Sequence, residues 1–222
     1  MDTERYIKLL YEPDELLSLV VLDGGKQWGK TAIGFFYDRE KFFSATAMLN
    51  GTGNVYINLN RLHHDIYGRA ADRIQPYARQ RFSSEEITWR PRLCVDLDPV
   101  RFSGINSTDD ELVAAIDLGE EIADYISTNW GDEVVTVNSG NGVQLVFKIN
   151  EEVASPLVAD FLAHLDEKFT SSRVKVDTSL SDPARIVRLP GTLNCKGDDV
   201  EGRPRRMAHI MEKEHVALPK HF

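Results

Sequence analysis

The run Cys94-Val95-Asp96-Leu97-Asp98-Pro99 constrains this chain more than any other segment of its length. It alternates apolar and acidic side chains. In a β-strand successive side chains take opposite faces, and residues i and i+2 lie about 6.6 Å apart on one face. Val95 and Leu97 then point one way, Asp96 and Asp98 the other. Two carboxylates side by side on an otherwise apolar strand repel each other and are costly to strip of water. A divalent cation with a taste for oxygen, Mg²⁺ or Mn²⁺, removes that cost. A strand end where both acids reach water removes it too, and the motif alone leaves both readings open.

The chain around it has 222 residues, 42% hydrophobic and 27% charged, enough for one substantial domain or two small ones. No apolar run approaches the ~20 residues of a membrane span. The opening MDTERYIKLL carries acids where a signal peptide carries basic residues, so a cytoplasmic protein without a membrane partner is expected. Cys94 and Cys195 are too few for a disulfide framework or a Cys-rich zinc site, and two reduced thiols are expected.

A net charge of −9 argues against nonspecific coating of nucleic acid but leaves room for one basic face. Arg61, Arg69, Arg73, Arg79, Arg81, Arg90 and Arg92 stand against Asp65, Asp72, Glu85 and Glu86, with Tyr67, Tyr77, Phe82 and Trp89 between them. Arginine with aromatic residues suits phosphate contact and base stacking. Arg69, Arg73, Arg79 and Arg81 are the candidate strand contacts. The same stretch also reads as an exposed, salt-bridged helix over about 61–80, interrupted by Gly68 and Pro76.

Elsewhere the patterns are local and legible. Leu16 to Leu22, Thr31 to Tyr37, Asn54 to Leu59 and Leu93 to Leu97 read as strands. So do Val134 to Val137, Val143 to Ile149, Val174 to Thr178, Arg185 to Leu189 and Arg205 to Met211. Asp38 can cap a helix through Leu49. Thr108 and Glu111 form a capping box before a helix with Leu112, Val113, Ile116, Ile122 and Ile126 inward and Gly131 as its stop. Ser155-Pro156 opens a third helix, with Leu157, Phe161, Leu162, Leu165 and Phe169 inward. Strands outnumber interspersed helices, which makes the class α/β or α+β.

Three further segments carry chemistry. Val174-Lys175-Val176-Asp177 is an alternating strand ending in an acid; beside the Asp96 strand it would bring three carboxylates to one metal pair, the arrangement of in-line phosphoryl transfer. Ser139-Gly140-Asn141-Gly142-Val143-Gln144 is a hairpin turn by its Asn-Gly, or a phosphate cradle by its glycines and donors. Gly24-Gly25-Lys26-Gln27-Trp28-Gly29-Lys30-Thr31 satisfies the phosphate-loop pattern. That pattern works only when a helix starts at its lysine. Thr31 to Tyr37 is a strand instead, so these glycines are expected to form a turn rather than the site of an ATPase.

In order, CVDLDPVR, NSGNGVQLVF and VDTSLSDPARIVRLPGTLNCKG resemble the archaeo-eukaryotic primase superfamily, in its small primase-polymerases of phages, plasmids and mobile elements. The resemblance covers roughly residues 15 to 200. It implies a single catalytic unit, an RRM-like module over about 91–222 packed on an N-terminal α/β module over about 1–90. It implies template-dependent nucleotidyl transfer on single-stranded DNA with NTP or dNTP as substrate and two Mg²⁺ or Mn²⁺ ions as cofactor. A helicase or further replication domain is the partner such cores often have. Asp96, Asp98 and Asp177 match the metal-binding carboxylates. Ser139, Gly140, Asn141 and Gly142 match the triphosphate loop, and Arg185, Arg188, Lys196 and Asn60 match its polar contacts. Gln144 stands where the family usually has histidine; it donates a hydrogen bond but never carries charge. A catalytically weak initiator or nucleotide-binding module on the same fold is the alternative that Gln144 favours.

Overall fold

The computed structural model describes residues 1–131 and 133–212. The N-terminal part runs α1 (Asp2–Leu10), β1 (Leu17–Leu22), α2 (Gly25–Trp28), β2 (Thr31–Phe36), α3 (Arg39–Leu49) and β3 (Asn54–Asn58). β1 is buried along its length and pairs antiparallel with β2 on one side and β3 on the other. Asp38 caps α3 by accepting the Lys41 N–H. The glycine-lysine motif falls in the β1–β2 connection: α2 is one turn, it ends at Gly29, and Lys30 leads directly into β2. Since no helix begins at Lys30, its backbone cannot form a phosphate-loop site.

The second part runs β4 (Arg61–Leu62), β5 (Ile87–Pro99), α4 (Asp109–Trp130), β6 (Val135–Asn138), β7 (Val143–Glu151), α5 (Leu157–Phe169), β8 (Val174–Val176), β9 (Ile186–Arg188) and β10 (His209–Ile210). β5 carries β7 on one edge; β4 and β8 share the other, at opposite ends of the strand. From β5 to β8 the order is βαββαβ, with strands side by side as β8-β5-β7-β6 and all neighbours antiparallel. This is the split βαβ arrangement of RRM-like domains. Both halves of the Thr108–Glu111 capping box form, and Gly131 closes α4 in the left-handed region at φ 75°. Gly119 lets α4 lie close on the sheet, because a Cβ there would stand 2.9 Å from Val143 Cγ1.

The two parts are interlaced. β9 pairs with β3 and completes the first sheet in the order β2-β1-β3-β9. Thr3 of α1 donates to the Pro190 carbonyl at 2.7 Å. One continuous apolar core runs from Tyr6, Leu19 and Phe42 through Val95 and Leu97 to Ile122 and Leu162.

Several expectations are corrected. Residues 61–80 are not a helix: after β4 and a 3₁₀ turn at His64–Arg69, the chain runs along the edge of β2. Ile33 and Gln75 exchange both backbone hydrogen bonds, and Asp72 and Ala78 donate to the Phe35 and Thr31 carbonyls. The edge of β2 needs partners, and Gly68, Pro76 and the positive φ of Asp72 and Tyr77 bar a helix from this path. Arg90 and Arg92 do not belong to a basic face. Arg92 is buried in an ion pair with Glu15, donates to the Leu59 and Leu10 carbonyls and stacks 3.8 Å above Tyr11. Arg90 is buried on the Val153 and Ser181 carbonyls. Val113 and Leu157 are exposed rather than inward, and the strand expected over 205–211 shrinks to His209–Ile210.

Candidate active site

The acids share one face of the sheet because of register. Leu97 pairs with Val176 and Asp98 with Lys175 across β5 and β8, and the Asp177 N–H donates to the Asp96 carbonyl at 2.8 Å. On the other edge of β5, Asp96 pairs with Gln144 of β7. Cross-strand partners share a face, so Gln144, Asp96, Asp98, Lys175 and Asp177 line one side of the sheet. α4 packs on the opposite side, against Leu97 and Val143.

Burial, then the charges of Asp98 and Asp177, push the Asp96 carboxyl well above the usual carboxylate range; Lys196 and a hydrogen bond from Gln144 act the other way. Asp98 is half-exposed, 3.7 Å from Arg101, whose guanidinium is held by the Pro99 and Ile105 carbonyls. Asp177 accepts from the Ser179 N–H at 2.9 Å and the Ser179 hydroxyl at 2.8 Å. The three carboxylates do not converge on one point. Among the described residues, the three side chains whose ligand atoms all lie within 4.8 Å of one another are His63, His64 and Asp65, a trio at the start of the 3₁₀ turn, with His63 partly buried, that carries no sequence signal.

Arg188 enters this face from the first sheet. It is buried beneath Tyr56, with its guanidinium carbon 4.4 Å from the ring centre, and Nη2 donates to Asn54 Oδ1 at 3.0 Å and to the Tyr56 hydroxyl at 3.1 Å. Its Nη1 is buried without a partner. An orphaned guanidinium nitrogen near an acidic centre fits an anionic ligand such as a phosphate. Asn54 Oδ1 also accepts the Cys195 N–H, which anchors the segment that carries exposed Lys196. Asn54, Tyr56, Arg101 and Ser179 carry no sequence signal for these roles, because each depends on a contact distant in the chain or on loop geometry.

The Ser139–Gly142 turn is engaged with its own surroundings. The Gly140 N–H donates to Asn138 Oδ1 and the Gly142 N–H to Ser139 Oγ. Asn141 is buried, accepting from the Ser107 N–H and donating to Asn106. Gly142 is required by close approach: a Cβ would stand 2.3 Å from the Leu97 carbonyl oxygen. Asn60 is buried, donating to the Pro183 carbonyl at 2.9 Å, with its Oδ1 unpartnered.

Arg69, Arg79 and Arg81 line one groove of about 310 Å³ with Gln75, Tyr77 and Phe35. Arg73 is exposed but does not line it, and Arg69 is ion-paired with Glu86. No helix among the described residues is long and apolar enough to cross a membrane.

No family model matches the chain, and no curated protein matches it in sequence. Its fold does match solved structures. The AEP domain of the cyanophage S-2L primase-polymerase superposes with a TM-score of 0.53 at 13% identity, covering 95% of this chain and 88% of that one. The primase RepB′ superposes with a TM-score of 0.52 at 15% identity, covering 95% of this chain and 55% of that one. The chain therefore has a mixed α/β primase-polymerase fold. More narrowly, it is the fold of the archaeo-eukaryotic primase (AEP) domain.

Proposed function

We propose that this chain transfers nucleotides to a DNA 3′ end under the direction of a single-stranded template. The observation that carries the reading is the register that sets Asp96 beside Asp177 on one face, with Arg188 Nη1 unpartnered close by. Burial and the charges of Asp98 and Asp177 raise the Asp96 carboxyl, a cost that a bound divalent cation would remove. Asp96, Asp98 and Asp177 would hold two Mg²⁺ or Mn²⁺ ions, which supply a lowered pKa for the attacking hydroxyl and charge neutralisation at the leaving pyrophosphate. Gln144 holds Asp96 from one side and Ser179 holds Asp177 from the other. Arg188 and Lys196 bind the triphosphate, and the groove of Arg69, Arg79 and Arg81 receives the template.

Extension of a labelled primer on a single-stranded template, with each nucleotide class and either ion, tests this. Metal-dependent incorporation that follows the template supports it. Nucleotide binding without incorporation under any ion would instead mark a nucleotide-binding module, the reading that Gln144 in the histidine position favours.

A further inference from the structure

Arg185 and Arg188 lie three residues apart but have different surroundings. Arg188 is buried against Asn54 and Tyr56. Arg185 is half-exposed: its Nε donates to the Ser179 carbonyl at 2.8 Å and lies 3.8 Å from Asp182 Oδ2. Arg81, remote in sequence, comes to the same place. Arg81 lies three residues before Ser84, whose hydroxyl donates to Asp182, and the charges of Arg185 and Asp182 both act on its partly buried side chain. Asp182 is already committed, since its Oδ1 accepts the Ser84 hydroxyl at 2.7 Å and the Ala184 N–H at 3.0 Å. One carboxylate, ion-paired with Arg185 alone, thus stands against two guanidinium groups and leaves net positive charge, where Arg81 also lines the groove with Arg69, Arg79 and Tyr77.

We propose that Arg81 and Arg185 form one phosphodiester-binding site for the DNA strand, beside the groove and separate from the triphosphate site of Arg188 and Lys196. The proposal rests on the nucleotidyl-transfer reading and assigns Arg185 to the strand rather than to the nucleotide. Two planar, forked donors suit a phosphodiester, which offers two non-bridging oxygens and a single charge. The site is also tied to the acids. Arg185 holds the Ser179 carbonyl, and the Ser179 N–H and hydroxyl hold the Asp177 carboxylate, so one residue separates a bound strand phosphate from that aspartate.

Fluorescence anisotropy with a labelled single-stranded DNA oligonucleotide, without nucleotide, tests the site across about 50–200 mM salt. Arg81→Gln and Arg185→Gln should each reduce the log–log salt slope by about 0.7, whereas Arg81→Lys should preserve it. Binding of a fluorescent nucleoside triphosphate with Mn²⁺ should weaken in Arg188→Gln. Thermal melting confirms that each variant is folded. Unchanged DNA slopes in Arg81→Gln and Arg185→Gln would overturn the strand site. So would an Arg185→Gln protein that loses triphosphate affinity and keeps its DNA slope. Either result leaves the nucleotidyl-transfer reading standing if wild type still extends a primer; a wild type that binds neither DNA nor triphosphate sinks both.

Discussion

Gln144 stands across the β5–β7 ladder from Asp96, where its amide favours the ionised carboxylate, while its Oε1 accepts the Arg188 N–H at 3.2 Å. One amide therefore joins the acid strand to β9 of the other sheet. It is buried, so truncation would leave the Arg188 N–H without its acceptor and Asp96 without its amide neighbour. Gln144→Ala should cost about 1–3 kcal/mol in stability. It should also move the metal dependence of incorporation to higher concentration and lower kcat more than it raises the nucleotide KM. Melting and metal titration check this; a variant altered in KM alone would show that Gln144 contacts the nucleotide rather than Asp96.

Asp96 carries a folded-state pKa above its unfolded one, through burial and then the charges of Asp98 and Asp177. Its ionisation therefore opposes folding: the penalty is absent in acid, where the carboxyl is protonated in both states, and grows as pH rises through the unfolded value. Asp96→Asn should melt at or above wild type at neutral pH without metal, and the gap should close in acid. Mg²⁺ should raise the wild-type Tm more than that of the variant. A clear neutral-pH loss of Tm in metal-free Asp96→Asn would contradict the repulsion.

Glu111 has the opposite sign. Arg203, whose two terminal nitrogens reach it at 2.8 and 3.1 Å, holds its carboxyl below the usual range, and the Thr108 N–H assists. Its contribution is complete above the unfolded pKa and disappears as pH falls through the folded one. Glu111→Gln should cost about 1 kcal/mol at neutral pH, and nothing once wild-type Glu111 is protonated. Urea melts at neutral and acid pH measure the difference; a pH-independent gap would remove the ion pair from the account.

The Arg92–Glu15 pair lies in the core, with both side chains almost wholly shielded from water. Breaking one partner leaves an uncompensated buried charge, worth about 3–5 kcal/mol. Glu15→Gln should lower the Tm by that equivalent and leave the salt slope of DNA binding untouched. A change in slope without a change in Tm would return Arg92 to the basic face.

What the sequence made legible was local. The alternation through Asp98, the Thr108–Glu111 box and the Asp38 cap each depend on residues a few positions apart, and each forms. The start of β5 was hidden by Pro91, which lacks an N–H; the ladder to β7 shifts register there and the strand extends back to Ile87. The path of residues 70–78 was illegible because the free edge of β2, not local propensity, dictates it. Arginine count suggested a basic face, but Arg90 and Arg92 satisfy carbonyls and a carboxylate inside the fold, and composition cannot separate those roles. The Asp96–Asp177 pairing spans 81 positions, so only ordered motifs, not periodicity, pointed to it.

The most direct test of the three-aspartate centre is primer extension by Asp177→Asn beside wild type, with Mg²⁺ or Mn²⁺ and matched melting curves. Asn retains the size of the side chain but lacks the charge that a metal pair requires. The account predicts template-directed extension by wild type and background incorporation by a folded Asp177→Asn protein with either ion. Extension at the wild-type rate by Asp177→Asn would contradict it.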